Sequence, residues 1–483
     1  FMVAQSAVTE IDSGSKDNLF PFSYFRLFRK FYTLHIQNGI SMMKALISII
    51  VLLTFSFGVQ AEKYILEKLQ QVAEISGIRE MNVSPFSEYY EFWYEQPLDH
   101  ENPSAGTFKQ RVLLGHKKEK APVIVELEGY GIWTEEEGEL ANLLKGNQLT
   151  VEHRFFDKSV PAGEIPWQYL TIKQAAADHH AIIQTLKAKL YPQSKWVTTG
   201  ISKGGQTTIF HRYFYPEDAD LSVPYVAPLN LKEVDPRIER FLNKAGANKK
   251  EWGNLFFGNG DAQKDCFYSV RDFQLLCFKR FNDLLPLFEG YVAEQGYAYT
   301  KVGGVKRALE LSILEFQFAF WQWGHECGNI PEEEDELDMV FEYLVKVSSP
   351  SFFNDADIEK MYPFFYAAAT EIGMYEYNVH PFRKYLEEKE NITFDFAFPE
   401  GVERIPFNEE QMEAVNDWLQ TDAEKMLFIY GGKDPWSATA VDLKKNNKCS
   451  KYIRGDMGHQ CRISHFEEIT KMDIIETLKD WMK

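Results

Sequence analysis

Ser202, Asp434 and His459 are of the three residue types that together perform nucleophilic catalysis, and they occur in this order along the chain. Ser202 lies in the motif GISKG (200–204), directly after the short apolar run 195–199. G-x-S-x-G at the end of a strand is typical of a strained turn that exposes the serine hydroxyl at the start of a helix. Glycines at both ends of the motif relieve crowding in such a turn. The motif predicts a nucleophile, although a tight turn with an exposed serine has the same pattern.

Asp434 and His459 each follow a strand-like segment. The apolar residues 425–430 lead through a glycine pair to Asp434, and His459 stands beside a glycine after the strand-like segment 451–454. A serine becomes nucleophilic when a histidine takes its proton and a carboxylate orients that histidine. We therefore predict His459 as the base and Asp434 as the acid. The alternative for His459 is a solvated histidine on a loop.

Asp456 is the rival for the role of the acid. It lies only three residues before His459, and it lacks the preceding strand that leads to Asp434. A carboxylate at the end of its own strand is better placed to approach the histidine ring from a neighbouring loop. We therefore rank Asp434 ahead of Asp456.

The elements around these residues alternate between strands and helices. Two segments with a turn between them predict a hairpin, and the later strands are separated by helices, which is typical of a mostly parallel α/β sheet. The predicted strands are 89–96, 107–115, 121–128, 148–156, 196–200 and 221–228, and the predicted helices are 171–190 and 206–215.

Between residues 236 and 394 the pattern changes to helical periods, and a strand pattern returns only near Met426. The sequence therefore predicts an α/β core in two parts, residues 62–235 and 395–483, interrupted by a helical cap at 236–394. Ligands of open α/β sheets bind beyond the carboxyl ends of the strands. We expect the cap to roof a site at that edge.

The N-terminal residues predict export. A basic start at Met42-Met43-Lys44, an apolar core at 45–57 and small residues ending at Ala61 are typical of a secretory signal peptide. We therefore interpret 42–61 as a signal peptide cleaved near Ala61, and 1–41 as an upstream extension or artefact. The apolar core is shorter than the about 20 residues that span a bilayer, so we expect no stable membrane insertion after cleavage and a secreted or periplasmic enzyme.

Charge and composition narrow the partners. The chain of 483 residues carries a formal net charge of −19, which disfavours nucleic acid and anionic membranes as partners. No cluster of cysteines and histidines has zinc-site spacing, so we predict no metal. His179 and His180 are adjacent, and neighbours on a helix face different directions, which makes a shared metal site improbable.

Five cysteines cannot all pair within one chain. Export would permit disulfides. The spacing allows Cys266 with Cys277 and Cys449 with Cys461, of which the second pair would enclose the His459 loop; Cys327 would then be the odd cysteine. The alternative is that all five are reduced and buried.

Taken together, these motifs resemble the bacterial secreted prolyl tripeptidyl aminopeptidases, serine peptidases with an α/β-hydrolase core. The chain is more distantly similar to the lysosomal prolyl carboxypeptidase and dipeptidyl peptidase family. The matching segments extend over about residues 85–465: VEHRFF (151–156), GISKGGQTT (200–208), VPYVAPLN (223–230), FWQWGHECG (320–328), ATEIGMYEYN (369–378) and GGKDPWSA (431–438).

The resemblance implies Ser202 as nucleophile, Asp434 as acid and His459 as base, with the lysine at 203 closer to the bacterial family. It also implies release of short peptides, tripeptides by the family's name, from free N-termini, with proline preferred at the cleaved bond. No cofactor is required for such acyl transfer. The backbone amides of Lys203 and Tyr130 are our candidate oxyanion donors, because Tyr130 lies in a glycine-flanked loop after strand 121–128.

An exopeptidase must also recognise the substrate terminus. A carboxylate that pairs with the substrate ammonium does this, and Glu371 and Glu326 in the cap are the candidates. Each is equally compatible with an ordinary solvated or capping glutamate. We expect an apolar pocket for proline, and Trp321, Trp323 and Tyr366 are the candidates to line it, although buried aromatics of the cap would have the same pattern.

Two other classes of function remain. An esterase or lipase on the same scaffold would have a broad apolar entrance in place of acidic cap residues. A catalytically silent binding protein would not need the set of Ser202, Asp434 and His459. The sequence leaves open how many residues each cut releases and which oligomer forms.

Overall fold

The computed structural model describes residues 64–245 and 263–483. The predicted extension and signal peptide, residues 1–61, lie outside the described residues. Residues Ile65–Lys483 form one compact unit. In the two described ranges, no helix combines the length and the apolar character that crossing a membrane requires.

The centre of the molecule is a nine-stranded sheet with the order β1-β2-β3-β5-β4-β6-β7-β8-β9. The first three strands pair antiparallel, β3 also pairs antiparallel with β5, and the remaining neighbours are parallel. This confirms the predicted mostly parallel α/β sheet. The strands are β1 Ile75–Met81, β2 Glu88–Pro97, β3 Thr107–His116, β4 Val123–Leu127, β5 Asn147–Val151, β6 Trp196–Ile201, β7 Leu221–Tyr225, β8 Leu427–Gly431 and β9 Ser450–Arg454.

The strand sequences explain this arrangement. Every residue of β5, β7 and β8 is buried, as expected for parallel strands covered on both faces. The predicted hairpin is confirmed as β2 and β3, which pair in continuous register from Glu88 with His116 to Pro97 with Thr107.

Helices cover both faces of the sheet. In chain order they are α1 Tyr64–Leu69, α2 Glu139–Leu143, α3 Ile172–Lys189, α4 Lys203–Phe214, α5 Pro236–Leu242, α6 Gln263–Lys279, α7 Phe281–Gln295, α8 Val305–Trp323, α9 Leu337–Val347, α10 Asp355–Lys360, α11 Tyr362–Ala367, α12 Glu409–Thr421 and α13 Glu468–Trp481. From residue 226 to 426, the described part of the chain forms helices and isolated bridge pairs but no strand. We call residues 236–394 the helical segment.

The helical segment shares its hydrophobic core with the sheet. The largest cluster of buried side chains includes Phe210 of α4, Phe428 and Tyr430 of β8, and Phe316 and Phe320 of α8. Burying these rings against one another stabilises both regions, by roughly 1.5–3 kcal/mol for each large apolar side chain. Any movement of the helical segment would therefore disturb the sheet.

Two predicted strands end earlier than expected, for the same reason. The strand predicted at 148–156 ends at Val151, and Phe155, within the predicted remainder, has a positive φ angle of 68°. The strand predicted at 221–228 ends at Tyr225, and the next residue, Val226, has φ 42°. Residues with positive φ cannot continue an extended strand. In both places the chain turns at the edge of the sheet that carries Ser202.

The predicted cysteine pairs are wrong. Cys266 of α6 is bonded to Cys327, which follows α8, and the other three cysteines are free and buried. Cys277 lies on the same helix as Cys266, about 16 Å along its axis at about 1.5 Å per residue, too far for a disulfide. The alternative with five reduced cysteines is wrong as well.

Cys449 and Cys461 are kept apart by the sheet. Cys449 packs in the cluster that contains Phe428, whereas Cys461 packs in the cluster that contains Leu427. Successive residues of a strand point to opposite faces of the sheet. The two thiols therefore belong to cores on opposite faces, which sequence spacing alone does not reveal.

Candidate active site

Ser202 occupies the sharp turn between β6 and α4. Its backbone angles, φ 59° and ψ −122°, lie outside the regions that non-glycine residues normally adopt. The turn is held by a hydrogen bond from the Ser202 N–H to the Tyr225 carbonyl, 2.9 Å. Gly200 must be glycine, because a Cβ there would lie 2.2 Å from the Gly204 carbonyl oxygen. Strain of this kind, costing about 1–3 kcal/mol, is typical of residues that the surrounding fold holds for function.

His459 and Asp434 are hydrogen-bonded to each other. The distance between His459 Nδ1 and Asp434 Oδ2 is 2.7 Å. Asp434 is fully buried, and its other oxygen, Oδ1, accepts the Trp436 N–H at 3.1 Å. A carboxylate at Nδ1 fixes the tautomer in which Nε2 is free to accept a proton. The pair therefore has the geometry of a base with an orienting acid.

Asp456, the rival acid, lies elsewhere. Its side chain is exposed and accepts a hydrogen bond from Arg454 Nη2 at 3.1 Å. A surface ion pair of this kind contributes little to stability and does not approach the His459 ring. The structure thus brings Asp434, and not Asp456, to the histidine.

The loop that carries His459 rests on the end of α8. The His459 N–H donates to the Gln322 carbonyl at 2.7 Å. A Cβ on Gly458 would lie 2.4 Å from that same carbonyl oxygen, so the close approach requires glycine. The ring of Trp323 lies 6.1 Å from the His459 ring, edge to face. The helical segment therefore helps to place the histidine of the sheet edge.

On the other side of Ser202, the Lys203 side chain runs beneath the loop that carries Tyr130. Lys203 Nζ donates to the Gly129 carbonyl at 2.7 Å and lies 4.9 Å from the centre of the Phe156 ring. The Gly129 carbonyl and the Tyr130 N–H belong to one planar peptide unit and point in opposite directions when it is trans. The bond from Lys203 therefore fixes the direction of the Tyr130 N–H.

Lys203 and Glu371 are buried groups of opposite charge, and each influences the pKa of the other. Burial lowers the pKa of the Lys203 ammonium to about 7, an effect opposed by the charge of Glu371. Burial likewise raises the pKa of Glu371 to about 7, opposed by a hydrogen bond from the Ile172 N–H and by Lys203. Glu371 Oε2 accepts that N–H at 2.8 Å. Both groups line a small pocket with His153, next to α4.

A separate cavity of about 540 Å³ adjoins Ser202. Its volume is in the range of about 300–1,000 Å³ that is typical of pockets for small ligands. The sheet edge contributes Tyr130, Ser202, Lys203 and Trp436 to its walls, and the helical segment contributes Glu315, Phe318, Trp323, His325, Lys346, Asp357 and Tyr375.

Among the predicted substrate-binding residues, only Trp323 lines this cavity. Glu371 lines the smaller pocket, where its carboxylate accepts the Ile172 N–H, and Glu326 is exposed on the turn after α8. Trp321 and Tyr366 are buried in hydrophobic clusters, so they are packing residues of the interior. The structure does not bring these four residues to the cavity.

Sequence reasoning missed Glu315, Phe318, Tyr375 and Trp436. Phe318 and Tyr375 stack with ring centres 3.7 Å apart, and Trp436 meets both edge-on at 5.2 and 5.5 Å. A signal was present, because Glu315 is a lone acidic residue within the strongly apolar stretch 311–321. A charge on the apolar side of a helix needs a partner or a role.

The described residues offer no group of three or more histidine, cysteine, aspartate or glutamate side chains arranged to hold a metal ion. At the sheet edge, Ser202 is on a strained turn after β6, the buried Asp434 follows β8, and His459 follows β9 and is hydrogen-bonded to Asp434. This arrangement is that of an α/β-hydrolase.

Comparison with solved structures gives distant similarity. Proline iminopeptidase of Mycobacterium smegmatis aligns with 81% of this chain and 98% of its own, with a TM-score of 0.38 and 12% identity. The acetyl xylan esterase of Paenibacillus sp. R4 aligns with 88% of this chain and 93% of its own, with a TM-score of 0.35 and 12% identity. Similarity at this level indicates nothing about the substrate of this chain.

Sequence comparison is more specific. The family model of PS-10 peptidase S37 matches residues 61–482. The prolyl tri/tetrapeptidyl aminopeptidase of Streptomyces mobaraensis is 30% identical over 382 residues, which cover 78% of this chain and 76% of that relative. The match extends over the sheet edge and the helical segment alike. The chain therefore belongs to the peptidase S37 family of serine-type aminopeptidases.

Proposed function

We propose that this enzyme releases short peptides, tripeptides above all, from free N-termini, with proline preferred at the cleaved bond, by acyl transfer through Ser202, His459 and Asp434. The observation that carries the proposal is the hydrogen-bonded His459–Asp434 pair beside a cavity whose wall includes Ser202. The size of the cavity and the activity named for the Streptomyces relative support a short peptide as substrate.

In the proposed reaction, Ser202 Oγ attacks the carbonyl carbon of the cleaved bond while His459 Nε2 takes its proton. The C–N bond then breaks, and the same histidine gives the proton to the leaving amine. Water attacks the acyl-enzyme in the second half of the cycle, with His459 again as base. Asp434 stabilises the imidazolium each time it forms.

The negative oxygen of the tetrahedral intermediate would be held by the N–H groups of Lys203 and Tyr130. Lys203 is the first residue of α4, where backbone N–H groups lack partners within the helix. Its ammonium donates a hydrogen bond to the Gly129 carbonyl, which would orient the Tyr130 N–H towards the reacting carbonyl. A donor of this kind contributes about 3–4 kcal/mol to transition-state stabilisation.

Export is part of the proposal and depends on the sequence of residues 42–61 alone. A basic start, an apolar core and a small-residue end support secretion or transfer to the periplasm. The disulfide between Cys266 and Cys327 fits an oxidising compartment.

The test is a Ser202→Ala variant. We expect turnover of a tripeptidyl p-nitroanilide ending in proline to fall by about 10⁶-fold, because the triad acts as a unit. The fold should persist, since the replaced hydroxyl lies on a cavity wall and leaves no void in the core. Labelling by a fluorophosphonate probe should disappear in the variant. Turnover close to that of the wild type would refute the proposed function.

Ester substrates separate this proposal from an esterase. If p-nitrophenyl esters were cleaved well and peptide amides hardly at all, the same serine would belong to an esterase. Failure of the wild-type protein to react with the fluorophosphonate probe would instead favour a silent binding protein.

A further inference from the structure

Glu315 is a buried carboxylate on the wall of the cavity that contains Ser202, and the proposed reaction gives it no role. It lies on α8, seven residues before the Gln322 carbonyl that holds the His459 loop. Taking a carboxylate out of water is costly unless a partner compensates its charge. Its surroundings therefore indicate what it is for.

The two oxygens of Glu315 differ. Oε2 accepts hydrogen bonds from the hydroxyl groups of Tyr375, at 2.7 Å, and Tyr377, at 2.8 Å. Within the part of the chain that the structure describes, no group donates to Oε1, and no cation pairs with the carboxylate. Two neutral donors orient the group but do not neutralise it. The site therefore holds a carboxylate with a vacant position for a positively charged donor.

The neighbouring rings suit a cation. Phe318, Tyr375 and Trp436 line the same cavity and pack against one another with ring centres 3.7–5.5 Å apart. Ring faces attract ammonium groups, by about 0.5–2 kcal/mol for each contact. A carboxylate beside such rings is the usual chemistry of recognition of an amine.

We propose that Glu315 receives the N-terminal ammonium of the peptide substrate, so that the distance from Glu315 to Ser202 sets how many residues each cut releases. This inference rests on the proposed function and deepens it. Tyr377, which is not on the cavity wall, orients the carboxylate from behind and is a positioning residue.

Asp357 is the rival carboxylate of the cavity. Its Oδ2 already accepts a hydrogen bond from Asn354 at 3.0 Å, and it is only partly buried, so water can solvate its charge. The cluster of three rings adjoins Glu315 through Tyr375, which stacks on Phe318 and donates its hydroxyl to the carboxylate. A desolvated carboxylate with a vacant oxygen gains more from an ammonium than a solvated one does.

The experiment compares kcat/KM for one tripeptidyl p-nitroanilide with a free amine and with an acetylated amine. In the wild type, the free amine should be preferred by at least about 30-fold, because acetylation removes the charge and leaves the carboxylate unpaired. Glu315→Gln should lower kcat/KM at least about tenfold for the free amine and less than about threefold for the acetylated substrate.

The matched control is Glu310→Gln on the same helix. Glu310 is buried too, but it pairs with Arg307 at 3.0 Å and does not line the cavity. Glu310→Gln should leave the ratio of kcat/KM between the free and the acetylated substrate unchanged. Equal losses for both substrates in Glu315→Gln, or no loss for either, would overturn the inference. A loss confined to the free amine in Asp357→Asn instead would move the role to Asp357.

Tyr377→Phe gives a second test that survives misfolding of the glutamine variant. It removes one hydrogen bond to the carboxylate and should therefore raise the pKa of Glu315. The preference for the free amine should then vanish at a higher pH than in the wild type, a shift that a merely structural role would not produce. An unshifted profile would count against Glu315.

These results remain distinguishable from failure of the proposed function. Suppose that Ser202→Ala loses turnover while the wild type cleaves free and acetylated substrates equally. The enzyme would then be a serine peptidase, but neither recognition of a free N-terminus nor the role of Glu315 would hold. Preference for the free amine that survives Glu315→Gln would keep the aminopeptidase and reject Glu315 alone.

Discussion

The sheet edge and the helical segment hold their functional residues by different means. At the sheet edge, backbone geometry positions each residue. Ser202 is on a strained turn, and His459 is in a loop whose close approach to α8 requires glycine at 458. In the helical segment, side-chain packing positions them: Glu315 is oriented by two tyrosine hydroxyls and enclosed by rings. In the proposed function, the first region carries out the reaction and the second selects the substrate.

The difference teaches where specificity can change. Backbone-determined positions depend on glycines and strand ends, so few substitutions are compatible with them. Packed side chains can be exchanged one at a time, with costs of about 0.5–3 kcal/mol for most single changes. A family on this scaffold could therefore vary its substrates through α8 and the residues around Tyr375 while the sheet edge stays constant.

The two regions nevertheless meet at one point. The Gln322 carbonyl at the end of α8 accepts the His459 N–H, on the same helix that carries Glu315. A shift of α8 would therefore move the base as well as the substrate site. The predictions below measure how far the regions are separable.

The largest effect should come from the acid of the sheet edge. Asp434→Asn should lower kcat by about 10⁴-fold, because an amide at this position favours the wrong tautomer of His459. Asp456→Asn should change kcat less than about tenfold, since it removes only an exposed ion pair with Arg454. Both variants should be measured on free and acetylated substrates.

If the two regions act separately, Asp434→Asn should lower kcat by the same factor for the free and the acetylated substrate. Reversal of the two variants in severity would make Asp456 the acid. If Asp434→Asn lowered kcat only for free-amine substrates, the sheet edge would also take part in recognising the substrate N-terminus.

The sheet edge could be predicted because its signals are local. A glycine motif after a strand, an aspartate after the next strand pattern and a glycine-flanked histidine each fit within ten residues, and their order specifies the arrangement. The strands were predicted for the same reason, apart from β1, whose Gly77 has φ 61° and interrupts its register with β2. Local patterns missed the strand ends at Val151 and Tyr225, beyond which Phe155 and Val226 have positive φ angles.

The helical segment could not be predicted to the same depth. Glu371 and Glu315 are both single glutamates among apolar and aromatic residues, and only packing decides which one faces the cavity. The partner of Cys266 is 61 residues away, at the far end of a different helix, so spacing favoured nearer cysteines. Long-range contacts of side chains leave no periodic pattern in a single sequence.

The next prediction tests the contact between the regions. Gly458→Ala would place a Cβ 2.4 Å from the Gln322 carbonyl and push the His459 loop away from α8. Misplacement of a catalytic group by about 1 Å costs on the order of 10²-fold, so kcat should fall to that extent for both substrates. Gly328→Ala is the matched control, since nothing lies within 4 Å of the Cβ it would add. Wild-type kcat in Gly458→Ala would show that α8 does not position the histidine.

The smallest effect concerns pH and separates the regions without a mutation. Burial raises the pKa of Glu315 to about 7, opposed by the hydrogen bonds from Tyr375 and Tyr377. The described titratable groups that surround it are the hydroxyls of Tyr375 and Tyr377 and, on the walls of the same cavity, His325, Lys346 and Asp357. Burial lowers the pKa of His325, which favours the neutral form of this ring.

Protonation of Glu315 below pH about 7 removes its charge, whereas the amine of a peptide loses its own charge near pH 8. The profile of kcat/KM reports groups of the free enzyme and free substrate. The proposed catalytic residues act on free and acetylated substrates alike, so their contribution to kcat/KM cancels in the ratio. We therefore expect the ratio of free to acetylated kcat/KM to be highest between about pH 7 and 8 and to fall about tenfold or more from pH 7.5 to 5.5. In Glu315→Gln the ratio should be flat over this acidic range. A wild-type ratio that stays constant from pH 7.5 to 5.5 would mean that the group reading the amine does not titrate there, and the helical segment would then select substrates by shape instead of charge.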